Sequence, residues 1–367
     1  MLVIMICLAL LGFSMWYVPF RFARLCGLKR TWPLQVAVFL LMAGFLGMLQ
    51  TGLYTSANPA IAAACNVLGF LFAFHIYLFV FLFTAHILSP FFKRITDKGI
   101  AVAGVLHALG IVGFGFIQAQ SFTVTHHEIE VRGITQPVNI MHISDLHLGA
   151  QRKEGYLKKV IEAVRQHQSE IVLYNGDMLD SDIVLTPELF ALFESIDAEQ
   201  YFIIGNHEFY IDTAKALQLI AGAGIHILRN EMTETHGIQL IGMEYMSADR
   251  ATFDSHKVND LTIEEELPKI ARDESRPSVL VHHSPVGAQY VSNGNIDVML
   301  SGHTHGGQMF PGTALIGFLF PRNKGRYQIG ETTLLVSQGT GTFATWMRIG
   351  SFNEIQLVKL IPKPLAN

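Results

Sequence analysis

From residue 1 to about 118 the apolar positions run on almost without interruption, showing neither the alternation of a strand nor the one-sided stripe of a surface helix. From about 126 they break into short β-branched runs separated by polar stretches of helical period. A helix needs about 20 apolar residues to cross the hydrocarbon core of a bilayer. The uncharged run 1–20, and the uncharged run 31–92 with its turn-rich break from Thr51 to Pro59, therefore predict spans near 1–20, 33–52, 61–88 and 99–118. The third is long for one crossing and should tilt or kink. A cleaved signal peptide competes for the first span, but its basic leader is missing and basic residues follow it instead.

Beyond the spans, strands are expected at 138–144, 171–174, 201–204, 225–228, 238–243, 279–282, 297–300, 333–337 and 355–361, with helices at 153–168, 186–195, 212–223 and 260–271. Alternation of this kind argues for an α/β domain. The predicted architecture is a two-sheet β-sandwich flanked by helices, preceded by an all-α four-helix transmembrane region. Its divisions are the membrane region at 1–118, a linker and first strand at 119–135, and the α/β domain at 136–367.

Charge adds an orientation. The 367 residues carry a net charge of -4, yet 1–118 hold seven basic residues and one acid, leaving 19 basic against 29 acidic residues beyond. A net-acidic soluble part is a poor match for phosphate backbones, so no nucleic-acid partner is expected. All seven basic residues of the membrane part fall in 21–30 and 93–98, which assigns both segments to the cytoplasm and the α/β domain to the extracytoplasmic side. Trp16, Tyr17, Phe20, Trp32 and Tyr54 fall near span ends, as interfacial aromatics do. His75, His86 and His107 lie inside spans, either as relay groups or as neutral donors to a neighbouring helix. Cys7, Cys26 and Cys65 are all in the membrane part, so the soluble part needs no disulfide framework.

Five expected strands run directly into polar clusters: Asp145-Leu-His147, Asn175-Gly-Asp177, Gly205-Asn-His-Glu208, His282-His-Ser-Pro285 and Ser301-Gly-His-Thr-His305. In open α/β sheets ligands bind beyond the carboxyl ends of strands, so five such ends point to one site. Asp, Asn and imidazole are borderline-hard donors suited to Mn, Zn or Fe, not to a Cys-based structural zinc. Seven such groups exceed the needs of one ion; two divalent ions sharing a carboxylate would use them all. Singly each motif has an ordinary reading: Gly176-Asp177 as a turn, Asn206-His207 as a helix cap.

As a set, Asp145-x-His147, Gly176-Asp177, Gly205-Asn-His-Glu208, the His282-His283 pair and Gly302-His-Thr-His305 resemble the signature of the calcineurin-like metallophosphoesterases, and Ser144 to Gly149 with Ser301 to Gln308 resemble its membrane-associated branch. The resemblance covers roughly 136–360, departing from the branch at Gln338-Gly-Thr-Gly341 and Phe352-Asn-Glu-Ile355. It implies one ion on Asp145, His147 and His305, a second on Asn206, His303 and a histidine of the 282/283 pair, and Asp177 bridging. His283 is preferred because His-x-Pro is the usual form of that branch and alternation turns His282 away, with His282 the alternative. It also implies attack by a metal-bridging hydroxide on a phosphoester, with His207 stabilising the developing charge or protonating the leaving oxygen. Asp180 and Glu208 would orient ligand imidazoles, although Asp180 could equally cap the turn at Ser181-Asp182. His126, His127, His142, His167, His226, His236 and His256 read as ordinary strand or surface residues.

The expected function is therefore a membrane-anchored, metal-dependent phosphoesterase working beside the lipid bilayer, on a phospholipid, a lipid-linked sugar or another cell-envelope phosphoester. A scaffold that keeps the fold without catalysis would be expected to lose ligands, and here the set is complete. The apolar stretch from Met309 to Pro321 is either a lid packed on its own core or an element that dips into the membrane interface or holds an acyl chain.

Overall fold

The computed structural model describes residues 2–91, 96–252 and 256–363; Lys93 and Arg94 of the second basic segment lie outside the described residues. The chain divides into two compact units, one of four long helices with residues 343–347, the other of residues 55–57, 121–342 and the chain from 348 onward.

The helical unit contains α1 (Leu2–Leu25), α2 (Trp32–Thr51), α3 (Pro59–Ile87) and α4 (Asp97–Gln118). Each is long and apolar enough to cross a membrane, and each coincides with an expected span to within a few residues. Proline sits in the first turn of α2 and α3, where its missing N–H costs nothing. Asn58 caps α3 by accepting the Ala60 N–H at 2.9 Å, and Thr96 caps α4 from the Gly99 N–H at 3.1 Å. At about 1.5 Å per residue, the 29 residues of α3 outrun a 30 Å core. Outward side chains such as Leu40, Leu106 and Ile117 are 63%, 64% and 70% exposed, a surface suited to lipid and not to water. Two histidines take the donor or acceptor reading across helices: Nε2 of His75 lies 3.1 Å from Ser14 Oγ, and Nδ1 of His86 lies 3.0 Å from Tyr17 Oη.

The second unit is two six-stranded mixed sheets. One has the order β1 (Phe122–Val131), β12 (Asn353–Pro362), β2 (Val138–Ser144), β3 (Ile171–Asn175), β4 (Glu199–Ile203), β5 (His226–Leu228). The other runs β10 (Gly325–Ile329), β11 (Thr332–Val336), β9 (Val298–Ser301), β8 (Ser278–His282), β7 (Ile238–Met243), β6 (Glu231–Thr235). Period-two alternation sorts the side chains into layers. Ile140, Leu173, Ile203, Val281, Leu300 and Val358 meet between the sheets, each fully buried. Met141, Val172, Tyr174 and Phe202 face outward under the amphipathic helix α5 (Glu154–His167), whose Leu157, Val160 and Val164 join the same cluster. Leu280 and Met299 do the same for the second sheet beneath Ala288 and Val291. This is the expected sandwich with helices outside.

Two expected helices are shorter than their periodicity suggested. Residues 186–195 form one turn, Pro187–Phe190, and then tighten to a 3-10 turn, Phe193–Ser195. Residues 260–271 give Ile263–Glu266 and a 3-10 turn, Leu267–Lys269, because Pro268 has no N–H to continue an α-helix. Strands β6 and β10 were not anticipated. Both are polar edge strands paired antiparallel with a neighbour, so neither carries the apolar run of a central strand. Strands β2, β3 and β4 are parallel in register, Ser144 opposite Asn175 and Asn175 opposite Ile203, and β7, β8 and β9 are parallel likewise. Their carboxyl ends therefore open together, and the five polar clusters follow those ends.

Candidate metal centre

Three groups of donor atoms converge there, each within 4.8 Å: Asp145 with His147 and His305; Asp177 with His283 and His303; and His147 with Asp180 and His207. The first is the grouping implied for one ion, and the second brings two of the residues implied for the other, His283 and His303, together with Asp177. Asp177 lies between them, its Oδ2 at 3.0 Å from His283 Nε2 and 3.9 Å from His147 Nε2, while its Oδ1 accepts the His207 N–H at 2.9 Å. Nε2 atoms of His147 and His305 face one another at 3.0 Å, an approach of two ring nitrogens that a shared cation would satisfy.

Two buried polar atoms in this cluster have no hydrogen-bond partner among the described residues. They are Oδ1 of Asn206 and Nδ1 of His303, while Nε2 of His283 meets only the Asp177 carboxylate at 3.0 Å. An orphaned polar atom in a protein interior costs about 1–3 kcal/mol, so two in one place call for a ligand. The donors are carboxylate, amide oxygen and imidazole, the set that fits hard to borderline divalent cations. The residues present thus fit the metals that the sequence implied.

Backbone conformation is unusual at the same points. Asp145, His147, Asp177, His303 and His305 have φ of 53°, 48°, 50°, 70° and 50°, in the left-handed region that side chains disfavour. Cross-loop hydrogen bonds hold them there: Asp145 N–H to Gly176 O at 3.1 Å, His147 N–H to Asp177 O at 2.9 Å and His303 N–H to the Asp145 carboxylate at 3.0 Å. Gly302 is required by close approach, since a Cβ there would collide with Ser144 Oγ and the Asp145 carboxylate. Gly205 is in the same position against Asp177.

The pair left open by the sequence separates cleanly. His283 Nδ1 donates to Asn175 O at 2.7 Å, which leaves its Nε2 facing the carboxylates. His282 is turned away, with Nδ1 at 2.8 Å from Ser284 O and Nε2 accepting the Met246 N–H at 3.3 Å. Asp180 Oδ1 lies 2.7 Å from His207 Nδ1 and 3.4 Å from His147 Nδ1, and the turn that follows is capped by Ser181. Glu208 differs from expectation. It hydrogen-bonds no imidazole among the described residues and instead accepts four backbone N–H groups, from Asp177, Met178, Leu179 and Gly205 at 2.8–3.1 Å. It fixes the loop that carries Asp177.

Without a cation, protons balance the carboxylates. Burial opposes a charged His283, but Asp177 and Asp145 outweigh it and push the ring up to about 10. His207 is raised to about 9 against burial, by Asp177 and Asp180. Burial holds His303 and His305 well down, reinforced by the charged His283 and by Arg348 respectively, so both keep neutral rings.

Sequence reasoning missed Arg348. Wholly buried, it donates to the carbonyls of His305 (2.7 Å), Gln338 (2.6 Å) and Gly341 (2.6 Å) and to Asn353 Oδ1 (2.8 Å). It ties the departing segment Gln338–Gly341 to His305. A lone charge in an otherwise uncharged stretch from 332 to 353 was its only signal. His256, read as an ordinary surface residue, packs edge-on against His303 at 5.3 Å between centroids, and Tyr245 and Phe320 flank the same ring at 5.5 Å. His142 is a structural strand residue, joined to Gln356 and Asn175 behind His283.

This cluster, at the strand ends of an α/β sandwich, is a candidate divalent-metal centre. Residues 138–307 match the family model of the calcineurin-like phosphoesterases, and the protein carries a domain of that family, a hydrolase acting on phosphoesters. An uncharacterized metallophosphoesterase from Helicobacter pylori is 26% identical over 341 residues, covering 88% of this chain and 90% of its own. The transmembrane protein with metallophosphoesterase domain from Bos taurus is 28% identical over 284 residues, covering 72% of this chain, which spans only 62% of that relative's length. A dimetal phosphatase from Danio rerio is similar in structure over 56% of this chain and 88% of its own, with 13% identity and a TM-score of 0.36.

Proposed function

We propose that the protein is a membrane-anchored binuclear phosphoesterase whose centre lies on the extracytoplasmic side. Asp145, His147 and His305 would hold one divalent cation, Asn206, His283 and His303 a second, and Asp177 would join them. The carrying observation is two neighbouring His/Asp triads, one of which contains an Asp177 whose Oδ2 also lies 3.9 Å from His147 of the other, beside two buried donor atoms, of Asn206 and His303, that hydrogen-bond nothing among the described residues. When bound, such ions polarise phosphoryl oxygens and make water nucleophilic near neutral pH.

The chain's own groups complete the chemistry. His207, raised to about 9 and held by Asp180 at 2.7 Å, is protonated at neutral pH and can donate a proton from Nε2 to a leaving oxygen. Glu208 keeps Asp177 in place through four backbone N–H groups, and Arg348 does the same for His305. Tyr245, His256 and Phe320 wall the His303 side and limit water there. The four apolar helices of the same chain support a reaction beside a membrane, which favours a lipid or envelope phosphoester over a free nucleotide. Orientation rests on Lys and Arg placement.

The test uses the full chain in lipid nanodiscs. Hydrolysis of bis-para-nitrophenyl phosphate is measured with Mn, Zn, Fe and Mg after chelation, alongside metal-to-protein stoichiometry. Two bound ions and metal-restored turnover are expected. Full turnover in chelator, or no turnover with any of these ions, overturns the reading.

A further inference from the structure

The apolar stretch after the last histidine is neither a fully packed lid nor disordered chain. It folds as a short helix, Gly312–Leu315, and a 3-10 turn, Ile316–Phe318, then returns through Asn323, whose side chain donates to Phe320 O at 3.0 Å. Its inner face is committed to the centre. Phe320 packs edge-on against His303 at 5.5 Å, and Thr304 Oγ1 donates to Asn323 O at 2.6 Å. Its outer face is bare: Phe310, Phe318 and Leu319 are 43%, 69% and 49% exposed.

Among the described residues of this unit, the exposed large apolar side chains are these three and Tyr210. Tyr210 borders the centre, its hydroxyl accepting from Asn206 Nδ2 at 3.3 Å and its ring 5.2 Å from that of His207, and Phe318 and Leu319 directly precede Phe320, which packs on His303. A soluble domain scatters such residues singly over its surface, and concentration at one rim marks an interaction site. Cations follow the apolar tip directly: Arg322 and Lys324 form no ion pair among the described residues, although the chain beyond 118 is strongly acidic. Protruding aromatic and aliphatic side chains beside unpaired Arg and Lys fit phospholipid headgroups, apolar tips sinking to the acyl boundary and cations meeting phosphates.

We propose that residues 309–321 are an interfacial element that inserts Phe318 and Leu319 into a phospholipid bilayer, with Arg322 and Lys324 on its phosphates. The centre thereby receives a phosphoester borne by a lipid at that surface. The substrate half of this inference rests on the phosphoesterase reading, and the insertion half does not. The geometry joins the two, because the segment that carries the tip also carries Phe320 against a proposed ligand.

The experiment uses the full chain in nanodiscs of phosphatidylcholine with phosphatidylglycerol. Phe318→Trp is compared with wild type for quenching by brominated acyl chains, the wild-type signal of Trp16, Trp32 and Trp346 being subtracted. Added emission that is quenched, most by shallow bromines, is the expected result. Emission that stays water-like, or is shielded yet not quenched by lipid, overturns insertion and indicates a lid or a protein partner. In a second arm, Phe318→Ala with Leu319→Ala should slow hydrolysis of hexadecyl para-nitrophenyl phosphate in the disc by about tenfold or more. Turnover of soluble bis-para-nitrophenyl phosphate should be unchanged. Equal loss on both substrates overturns lipid presentation. If wild type cleaves neither with any divalent ion, the phosphoesterase reading fails while the quenching still decides insertion.

Discussion

Asp177→Asn changes one charge at nearly constant shape, and its consequences follow from the groups around it. In chelated protein, His283 is raised to about 10 and His207 to about 9, both leaning on Asp177. A raised folded-state value contributes stability that is full below the unfolded value near 6.5 and is lost as pH climbs through the folded value. For His283 alone the contribution at pH 7 is about 4 kcal/mol, the shift at roughly 1.36 kcal/mol per unit being truncated at the working pH. His207 shares the same carboxylate, so the two do not add, and losing Asp177 should cost about 3–5 kcal/mol, the range for breaking a buried pair. At roughly 2–4 °C per kcal/mol, the thermal midpoint of chelated full-length protein should fall by about 10 °C at pH 7. The gap should narrow as pH rises through about 9 and 10, where wild type gives up the protons of His207 and then His283. Below its own unfolded value, Asp177 acts in the opposite sense, since its depressed folded value makes its contribution vanish as pH falls. Added Mn at a hundred times its dissociation constant should stabilise wild type by about 2.7 kcal/mol and the variant far less. Melting curves at pH 6–10, in chelator and in Mn, check all of this. A variant that keeps the wild-type pH slope, or the wild-type gain on adding metal, refutes the reasoning.

Other substitutions probe separate parts of the site. His207→Ala should bind metal normally yet lose about 10²–10⁴ in turnover, with the larger loss on esters of poor leaving groups, as an acid that protonates the leaving oxygen requires; steady-state rates across a leaving-group series check it. Gly302→Ala should abolish metal binding or prevent folding, because its Cβ meets Ser144 and Asp145, and metal stoichiometry on whatever folds decides between them. His283→Gln should lose an ion and most activity, whereas His282→Gln should lower stability by about 1–3 kcal/mol and leave stoichiometry unchanged; metal analysis of both variants separates them.

The sheets and the cluster were legible for the same reason. Central parallel strands are apolar on both faces, and parallel strands in register put the polar residues that follow them at one edge, as those after Ser144, Asn175 and Ile203 are. The strands that pattern reading overlooked, Glu231–Thr235 and Gly325–Ile329, are edges whose half-exposed residues carry no such run. Partner choice was less legible than position. Glu208 was found by its motif, but nothing in the sequence says that its carboxylate collects four backbone N–H groups and no imidazole. Arg348 stands 43 residues from His305, and only the packed loop makes it that histidine's neighbour.

Charge indicates why the site is suited to divalent metal. Asp145, Asp177, Asp180 and Glu208 are at most partly accessible, and an isolated buried carboxylate costs several kcal/mol. Four backbone donors compensate Glu208, and Asp180 meets His207. For Asp145 and Asp177, the described neighbours offer chiefly the proton on His283, shared at 3.8 and 3.0 Å. One imidazolium between two carboxylates leaves the pair under-neutralised, and divalent cations held there would reverse the imbalance and displace that proton. Metal binding at His283 should therefore release a proton, and apparent affinity should rise with pH through about 10, where His283 gives up its proton. Isothermal titration of chelated protein with Mn in buffers of different ionisation enthalpy measures the release directly. Near-zero release at pH 7 would mean that His283 binds no cation and that the two carboxylates are neutralised in some other way.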